Sequence, residues 1–438
     1  MRVITALFAI SCAALSAQNV PLSLKQAIDI ALAPDGNTRV QLAAQAIEQS
    51  KTRVGQARAA LLPNLDGSVS GQNFTRNLRA FGISFPSNIP GFSMPTIVGP
   101  ITNFDARLNA SMTLFDFSAW KRLGASKTGV EAAEAEADAA RNNVADAVAR
   151  AYIAALRAGA ALQVAQANLS LAESLRKLAA DQKDAGTGTG IEVLRSEVQL
   201  ANERQRQTLL ENDKRRAYLQ LARLLNLGLD KPLELTDSLA MPEANVPAVE
   251  EALKAALANR KDLSAQTLRQ QIAKRNYDAV KWERLPSVQA FGDYGAIGLD
   301  VESAVGTRTY GATLRIPIFD GGRRDARRAE AAISLRQDEL RTADLRKQVE
   351  LDVRLAVDAI QASAQQVRVA EEGLQLAERE LAQAQRRYTG GVTSNIEVVD
   401  AQTRTERARD NRVMALFQYN QARIDLATAM GAIHRIVQ

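Results

Sequence analysis

Two stretches of this chain alternate almost strictly between apolar and polar side chains. In the first, Ala106, Leu108, Ala110, Met112 and Leu114 fall on one side and Arg107, Asn109, Ser111 and Thr113 on the other. This is the pattern of a strand with one apolar and one polar face. The second sets Tyr310, Ala312, Leu314, Ile316 and Ile318 against Thr309, Thr313 and Arg315. Each is preceded by a weaker run, Leu65 to Phe74 and Val288 to Leu299, in which glycine and small polar residues dilute the alternation. The spacing predicts two hairpins, with strands at about 65–74 and 104–115 and at about 288–299 and 307–319. The link from Arg76 to Asn103 carries Pro86, Pro90, Pro95 and Pro100 and reads as a long loop, whereas the second hairpin closes near Glu302 to Gly306.

Elsewhere the period becomes helical. No proline interrupts the chain between Phe117 and Gly186 or between Gly322 and Gly390. The expected helices, about 118–185 and 323–388, would each reach roughly 100 Å at 1.5 Å per residue. Heptads explain how such lengths are held. Val144, Ala151, Ala158, Ala165, Ala172 and Ala179 occupy one seam position, and Val148, Ala155, Leu162 and Leu169 the other. In the second long helix the two sets begin at Val349 and Val353. Small residues in one register let neighbouring backbones approach closely, as in coiled coils. Shorter helices are expected from Ile191 to Leu225 and from Val249 to Arg284, separated by a connection with Pro232, Pro242 and Pro247.

The chain is written twice. Phe115-Asp116 returns as Phe319-Asp320 and Ile191-Glu192-Val193-Leu194 as Ile396-Glu397-Val398-Val399, a shift of about 205 positions, and Leu62-Pro63 is answered by Leu285-Pro286. A unit this large points to a gene duplication and not a solenoid. The expected organisation is a leader at 1–17, a first repeat at 18–227, an equatorial connection at 228–248, a second repeat at 249–431 and a tail at 432–438.

Strands of about ten residues fit a tilted crossing of a bilayer, although a four-stranded sheet packed on helices also accounts for the alternation. Four strands cannot close a membrane barrel, since the smallest have about eight, and an open edge facing lipid leaves backbone groups unpaired. Insertion therefore demands oligomerisation. Three copies would close with twelve strands, and the duplication would give that trimer approximate six-fold symmetry.

Composition narrows the picture. Arg2, the apolar stretch Val3 to Leu15 and small residues ending at Ala17 fit a secretory leader; lipidation of Cys12 in Ala9-Ile10-Ser11-Cys12 is the rival reading. Cys12 is the only cysteine, so the exported body has no disulfide. The net charge of +6 comes from Lys and Arg interspersed with Asp and Glu, a solvated pattern that does not point to nucleic acid. His434 is the only histidine and no catalytic, phosphate or metal constellation appears, so neither an enzyme nor a cofactor is expected. A periplasmic coiled-coil adaptor is the rival from another class, but it would lack duplicated hairpins.

The turns after the long helices contain Gly186, Gly188 and Gly190, and Gly390, Gly391 and Thr393. They follow helices and lack Lys-Ser/Thr, so they are read as helix caps and not phosphate loops. Beyond the second turn, Glu397 and Asp400 share a helical face. Arg323, Arg324, Arg327 and Arg328 open a helix just after a strand, where cations oppose the helix dipole. Contact with lipid headgroups at the inner leaflet and a solvated or lumen-facing charge set both remain open for them.

With Leu24-Lys25-Gln26-Ala27, Ala59-Ala60-Leu61-Leu62-Pro63, Phe115-Asp116, Phe319-Asp320-Gly321-Gly322 and the two tips in order, the chain closely resembles the TolC-type outer-membrane efflux proteins over essentially its whole mature length. The resemblance implies a mainly helical protein with membrane β structure, which as a homotrimer forms a 12-stranded β-barrel continuous with a periplasmic α-helical barrel. It implies a passive exit duct for small molecules or, alternatively, for secreted polypeptides. The implied partners are outer-membrane lipids, a periplasmic adaptor docking at the tips, and an inner-membrane pump of proton-driven or ABC type. In that family the inner coiled coil carries an acidic constriction at the place of Glu397 and Asp400, where cations would block the closed duct. In the well-known enterobacterial member, a tyrosine three before the tip glycine and an arginine two after it tie the closed state to the neighbouring coil. Tyr388 matches the tyrosine and Glu192 its acidic partner, while Thr393 stands at the arginine position.

Overall fold

The computed structural model describes residues 20–82, 96–242 and 246–433. The expected leader with Cys12, the loop prolines Pro86, Pro90 and Pro95, and His434 with the end of the tail lie outside the described residues. The chain divides into two compact units, one from the described parts of 1–46, 134–265 and 343–438, the other from those of 47–133 and 266–342. In order, the elements are β1 (Val20–Leu22), α1 (Leu24–Leu32), α2 (Thr38–Ala59), β2 (Asn64–Asn77), β3 (Ile97–Phe115), α3 (Phe117–Asp184) and α4 (Gly190–Leu224). There follow β4 (Leu233–Leu235), α5 (Val249–Asn259), α6 (Lys261–Lys281), β5 (Ser287–Gly298), β6 (Val305–Arg315), α7 (Arg323–Thr389) and α8 (Asn395–Ala429).

The second unit carries one antiparallel sheet in the order β2-β3-β5-β6. Its registers align the apolar positions of all four strands. Leu65 pairs with Ala110, Val69 with Ala106, Leu108 with Tyr294, Gly292 with Tyr310, and Ala290 with both Met112 and Ala312. Directly paired residues point to the same side, so one face is largely apolar, interrupted by Arg308 opposite Tyr294 and by Asn73 opposite Thr102, and Leu65, Val69, Leu108, Tyr294, Tyr310 and Leu314 are exposed on it. The other face presents Ser68, Arg107, Asn109, Asp293 and Thr309. On it Arg107 bonds Asp105 at 2.9 Å and Asp293 at 2.5 Å, and a Cβ at Gly295 would come within 2.2 Å of the Arg107 Cβ, so only glycine fits opposite that arginine.

The strands depart from the expected bounds in two places. The first hairpin is longer, since pairing continues past the loop expected from Arg76, through Arg76 with Val98 and Asn77 with Ile97. Backbone hydrogen bonds sustain this extension where side-chain alternation has ended. The last strand stops at Arg315 and not near 319, because Pro317 has no N–H to donate to a ladder.

The first unit is helical apart from the short parallel pair β1 with β4. The heptad positions Val144, Val148, Ala155, Ala158, Leu162, Ala165, Ala172 and Ala179 are buried, as are Val349, Val353, Ala356, Ile360, Ser363, Val367 and Ala377. Towards the tip the seam of α3 drifts: Asn168 and Leu175 are buried where the strict heptad names Leu169, and the Asn168 amide oxygen accepts from Arg409 at 2.7 Å. The helix expected from Val249 to Arg284 is broken at Arg260, which leaves helical geometry at ψ 114°. Its guanidinium is held by Asp262 and Asp352, each at 2.7 Å. Among the described residues no helix is long and apolar enough to cross a membrane.

Candidate functional site at the helix tips

Both tips are built alike. The N–H of Gly186 bonds Lys183 and that of Thr187 bonds Gln182; the N–H of Gly391 bonds Tyr388 and that of Val392 bonds Arg387. These are two Schellman caps, with Gly186 at φ 73° and Gly391 at φ 71° in the left-handed conformation that such caps require. Gly188 has a separate reason, since a Cβ there would lie 3.0 Å from the Lys183 nitrogen. Gly190 begins α4, and Gly390 stands at the end of α7 with its N–H on Arg386.

Beneath the caps, Leu175, Leu381, Ala384, Tyr388, Val398 and Ala401 form a small apolar cluster drawn from α3, α7 and α8. It fixes where the polar tip residues stand. The Glu192 carboxylate accepts from the Thr189 N–H at 2.8 Å, the Thr189 hydroxyl at 3.0 Å and the Asn395 N–H at 3.4 Å. The Asn395 amide in turn donates to the Glu192 carbonyl at 3.3 Å. Glu192 and Asn395 therefore tie the start of α4 to the start of α8. The Thr189 N–H, chiefly, holds the Glu192 carboxyl below the ordinary range.

Tyr388 is buried beside this tie. Burial, and then the charge of Glu192, push its phenol up, yet its hydroxyl has no hydrogen-bond partner among the described residues. The expected pairing with Glu192 is thus one of proximity, because the carboxylate is committed to Thr189 and Asn395. Thr393, at the position expected for arginine, donates its hydroxyl to Glu397. Arg387 supplies a cation instead, with its Nε 3.3 Å from Glu397. Asp400 is exposed in the single chain and carries no bonded partner among the described residues.

The basic cluster lies in the other unit and is largely paired. Arg324 reaches Asp320 at 3.3 Å, Arg327 reaches Glu283 at 2.8 Å, and Arg328 approaches the Tyr277 hydroxyl at 3.5 Å. Asp320 also accepts from the Arg324 N–H at 3.2 Å, so the helix start has its own carboxylate cap despite the cations. Arg323 is exposed with no bonded partner among the described residues.

Sequence reasoning missed Asn395 and Arg387. Asn395 had a signal: its equivalent in the first repeat is Gly190, and such a difference between two copies marks where one has acquired a contact of its own.

Comparison with known proteins agrees with this architecture. Pyoverdine export outer membrane protein OpmQ of Pseudomonas putida is 24% identical over 413 residues, covering 92% of this chain and 84% of that protein. Outer membrane protein TolC of Vibrio cholerae is 22% identical over 337 residues, 75% of this chain and 76% of that protein. The crystal structure of the Campylobacter jejuni CmeC outer membrane channel superposes with a TM-score of 0.80 at 20% identity, covering 93% of this chain and 85% of that one. The family described as Outer membrane efflux protein matches residues 30–227 and 252–432, which takes in both repeats. The chain belongs to the outer membrane efflux protein family, and is an outer-membrane exit duct of an efflux system rather than an enzyme.

Proposed function

We propose that three copies of the chain close one barrel by pairing β6 of each with β2 of the next, and that the helix tips form its gated periplasmic entrance. The observation that carries this reading is the four-stranded sheet with free edges at β2 and β6. An even number of antiparallel strands leaves the two edges running in opposite directions, so identical sheets joined edge to edge continue the antiparallel order. Two copies would give eight strands, a barrel whose interior is filled by side chains. Three give twelve, the next closed number, and leave a lumen lined by the face that carries Arg107, Asn109 and Asp293.

In this assembly Asp400, with Glu397 beside it, faces the axis as an acidic ring that binds and passes cations in preference to anions. Arg387 reduces the charge that Glu397 contributes. The exposed tips, capped at Gly186 and Gly391 and completed by Gly188, Gly190, Gly390 and Thr393, are the surface for a periplasmic adaptor that links the duct to an inner-membrane pump. Arg323 is the member of the basic cluster free to meet lipid headgroups. The pyoverdine-exporting relative supports cargo of that kind over a polypeptide. The test is extraction and mass: the protein leaves the outer-membrane fraction only with detergent and has the mass of three chains. A stable, detergent-free monomer would overturn the assignment.

A further inference from the structure

Glu203 on α4 and Glu406 on α8 are only 3% and 6% exposed. They meet at one amide. Gln199 Nε2 lies 3.3 Å from Glu203 Oε1 and 3.3 and 3.4 Å from the two Glu406 oxygens. Gln402 donates to Glu406 Oε1 at 2.9 Å. Glu203 Oε2 is buried with no hydrogen-bond partner among the described residues. The cation at hand, Arg206, is already bonded to Asp410 of α8, so three carboxyl groups face one guanidinium. The surrounding charges are engaged elsewhere. Arg409 of α8 bonds Asn168 of α3 and lies 3.5 Å from Glu378 of α7. Arg204 of α4 faces Glu173 of α3 at 3.9 Å, and Arg404 of α8 bonds Glu380 of α7.

Two ionised carboxylates cannot share such a place cheaply, because each is stripped of water and repels the other. One amide NH2 group has two protons for acceptors on two carboxyl groups, and the orphan Glu203 oxygen lacks a donor. A single proton answers both deficits by removing one charge and supplying an O–H. Among the described residues no group of three or more Asp, Glu, His or Cys could hold a metal ion. We propose that Glu203 and Glu406 hold one proton between them, as a carboxylic acid and carboxylate pair that ties α4 to α8 and loosens when the proton leaves.

Burial raises the titration of both groups; for Glu203 the charge of Glu406 adds to it, and Arg206 opposes it in both. A carboxyl whose titration is raised by folding stabilises the contact fully below the ordinary glutamate range and stops doing so as pH rises through the raised value. Acid therefore tightens this seam and alkali loosens it. The pair stands independently of the proposed gate.

The test is infrared spectroscopy of the purified, assembled full chain at about pH 7, where ordinary carboxyl groups are ionised. The wild type should show one protonated carboxylic acid per chain by its carbonyl stretch, shifted in D2O. That band should vanish in the double variant E203Q/E406Q, and in each single variant it should titrate away at lower pH than in the wild type, since a glutamine removes the repulsion and leaves burial. Absence of the band in the wild type would overturn the proposal, as would its survival in the double variant. On the wild type alone, the band should titrate away above the ordinary glutamate range, and a midpoint within that range would also refute it.

Discussion

Replacing Glu192 by alanine separates two roles that its carboxylate combines. The contacts with Thr189 belong to the start of α4 itself, and losing such a cap costs about 1 kcal/mol whether or not the tips are together. The bond from the Asn395 N–H exists only while α4 and α8 meet. Hydrogen bonds to charged groups contribute about 1.5–3 kcal/mol; this one is long at 3.4 Å and lies at an exposed tip, so about 1 kcal/mol is the working figure. The Asn395 side chain keeps its bond to the Glu192 carbonyl, which the substitution leaves in place. A loss of about 1 kcal/mol raises the ratio of open to closed tips roughly fivefold in one chain, and more than 100-fold if three entrances move together. Single-channel recording in planar bilayers reads that ratio directly. Thr189→Ala is the control, because it removes a hydroxyl from the cap and leaves the Asn395 bond intact. An unchanged open probability in Glu192→Ala, or an equal rise in Thr189→Ala, would refute the assignment of the cross-helix bond as a latch. The pH dependence has a definite sign. Since the Glu192 carboxyl is held below its ordinary range, its contribution is present above that range and is lost as pH falls through the lowered value. Strong acid should thus imitate Glu192→Ala, in the opposite sense to the Glu203 and Glu406 pair.

Replacing both Glu397 and Asp400 by alanine should weaken cation selectivity and the block by trivalent cations without dissociating the protein, with Asp400→Ala alone giving more than half of the effect because Arg387 already offsets Glu397; unchanged selectivity and block in the double variant would place these residues away from the axis. Leu108→Arg should cost about 2–4 kcal/mol of barrel stability, as a cation facing lipid near the midplane does, whereas Asn109→Arg on the lumen side should cost little. Heat-induced dissociation followed on gels distinguishes them, and equal effects would mean that the sheet faces are misassigned. Cysteine introduced at Ala80, beyond the end of β2, should react with an impermeant reagent on intact cells; protection until the outer membrane is opened would reverse the orientation.

Alternation from Ala106 to Leu114 made β3 legible, because a period of two has one physical meaning when one face is apolar. The second hairpin was legible through the duplication as much as through its own residues. The extension of the first hairpin through Arg76 and Asn77 was not, since it is held by backbone pairing that side-chain patterns do not encode. The break at Arg260 was hidden for a similar reason: nothing in Asn259-Arg260-Lys261 disfavours a helix, and the ion pairs that hold Arg260 come partly from Asp352, far along the chain. At the tips, Gly186 and Gly391 announced their caps, whereas Asn395 required comparison of the two repeats. Glu203 and Glu406 were invisible on two counts. Carboxylates on a charged helix read as solvated, and their repeat equivalents are Ala408 and Ala201, so alignment of the copies gives no sign that they meet.

The claim on which the account turns is that β6 of one copy pairs with β2 of the next in a ring of three. Cys12 is the only cysteine of the chain, so pairs of introduced cysteines report cleanly once it is replaced. One at Ser68 on β2, combined in turn with Thr307, Thr309, Gly311 or Thr313 on β6, samples successive registers on the lumen face. Oxidation in the membrane followed by denaturing electrophoresis should give, for one of these pairs, a ladder of covalent dimer and trimer that ends at three chains. No crosslink at any pairing, or a ladder that continues past three, would contradict the account.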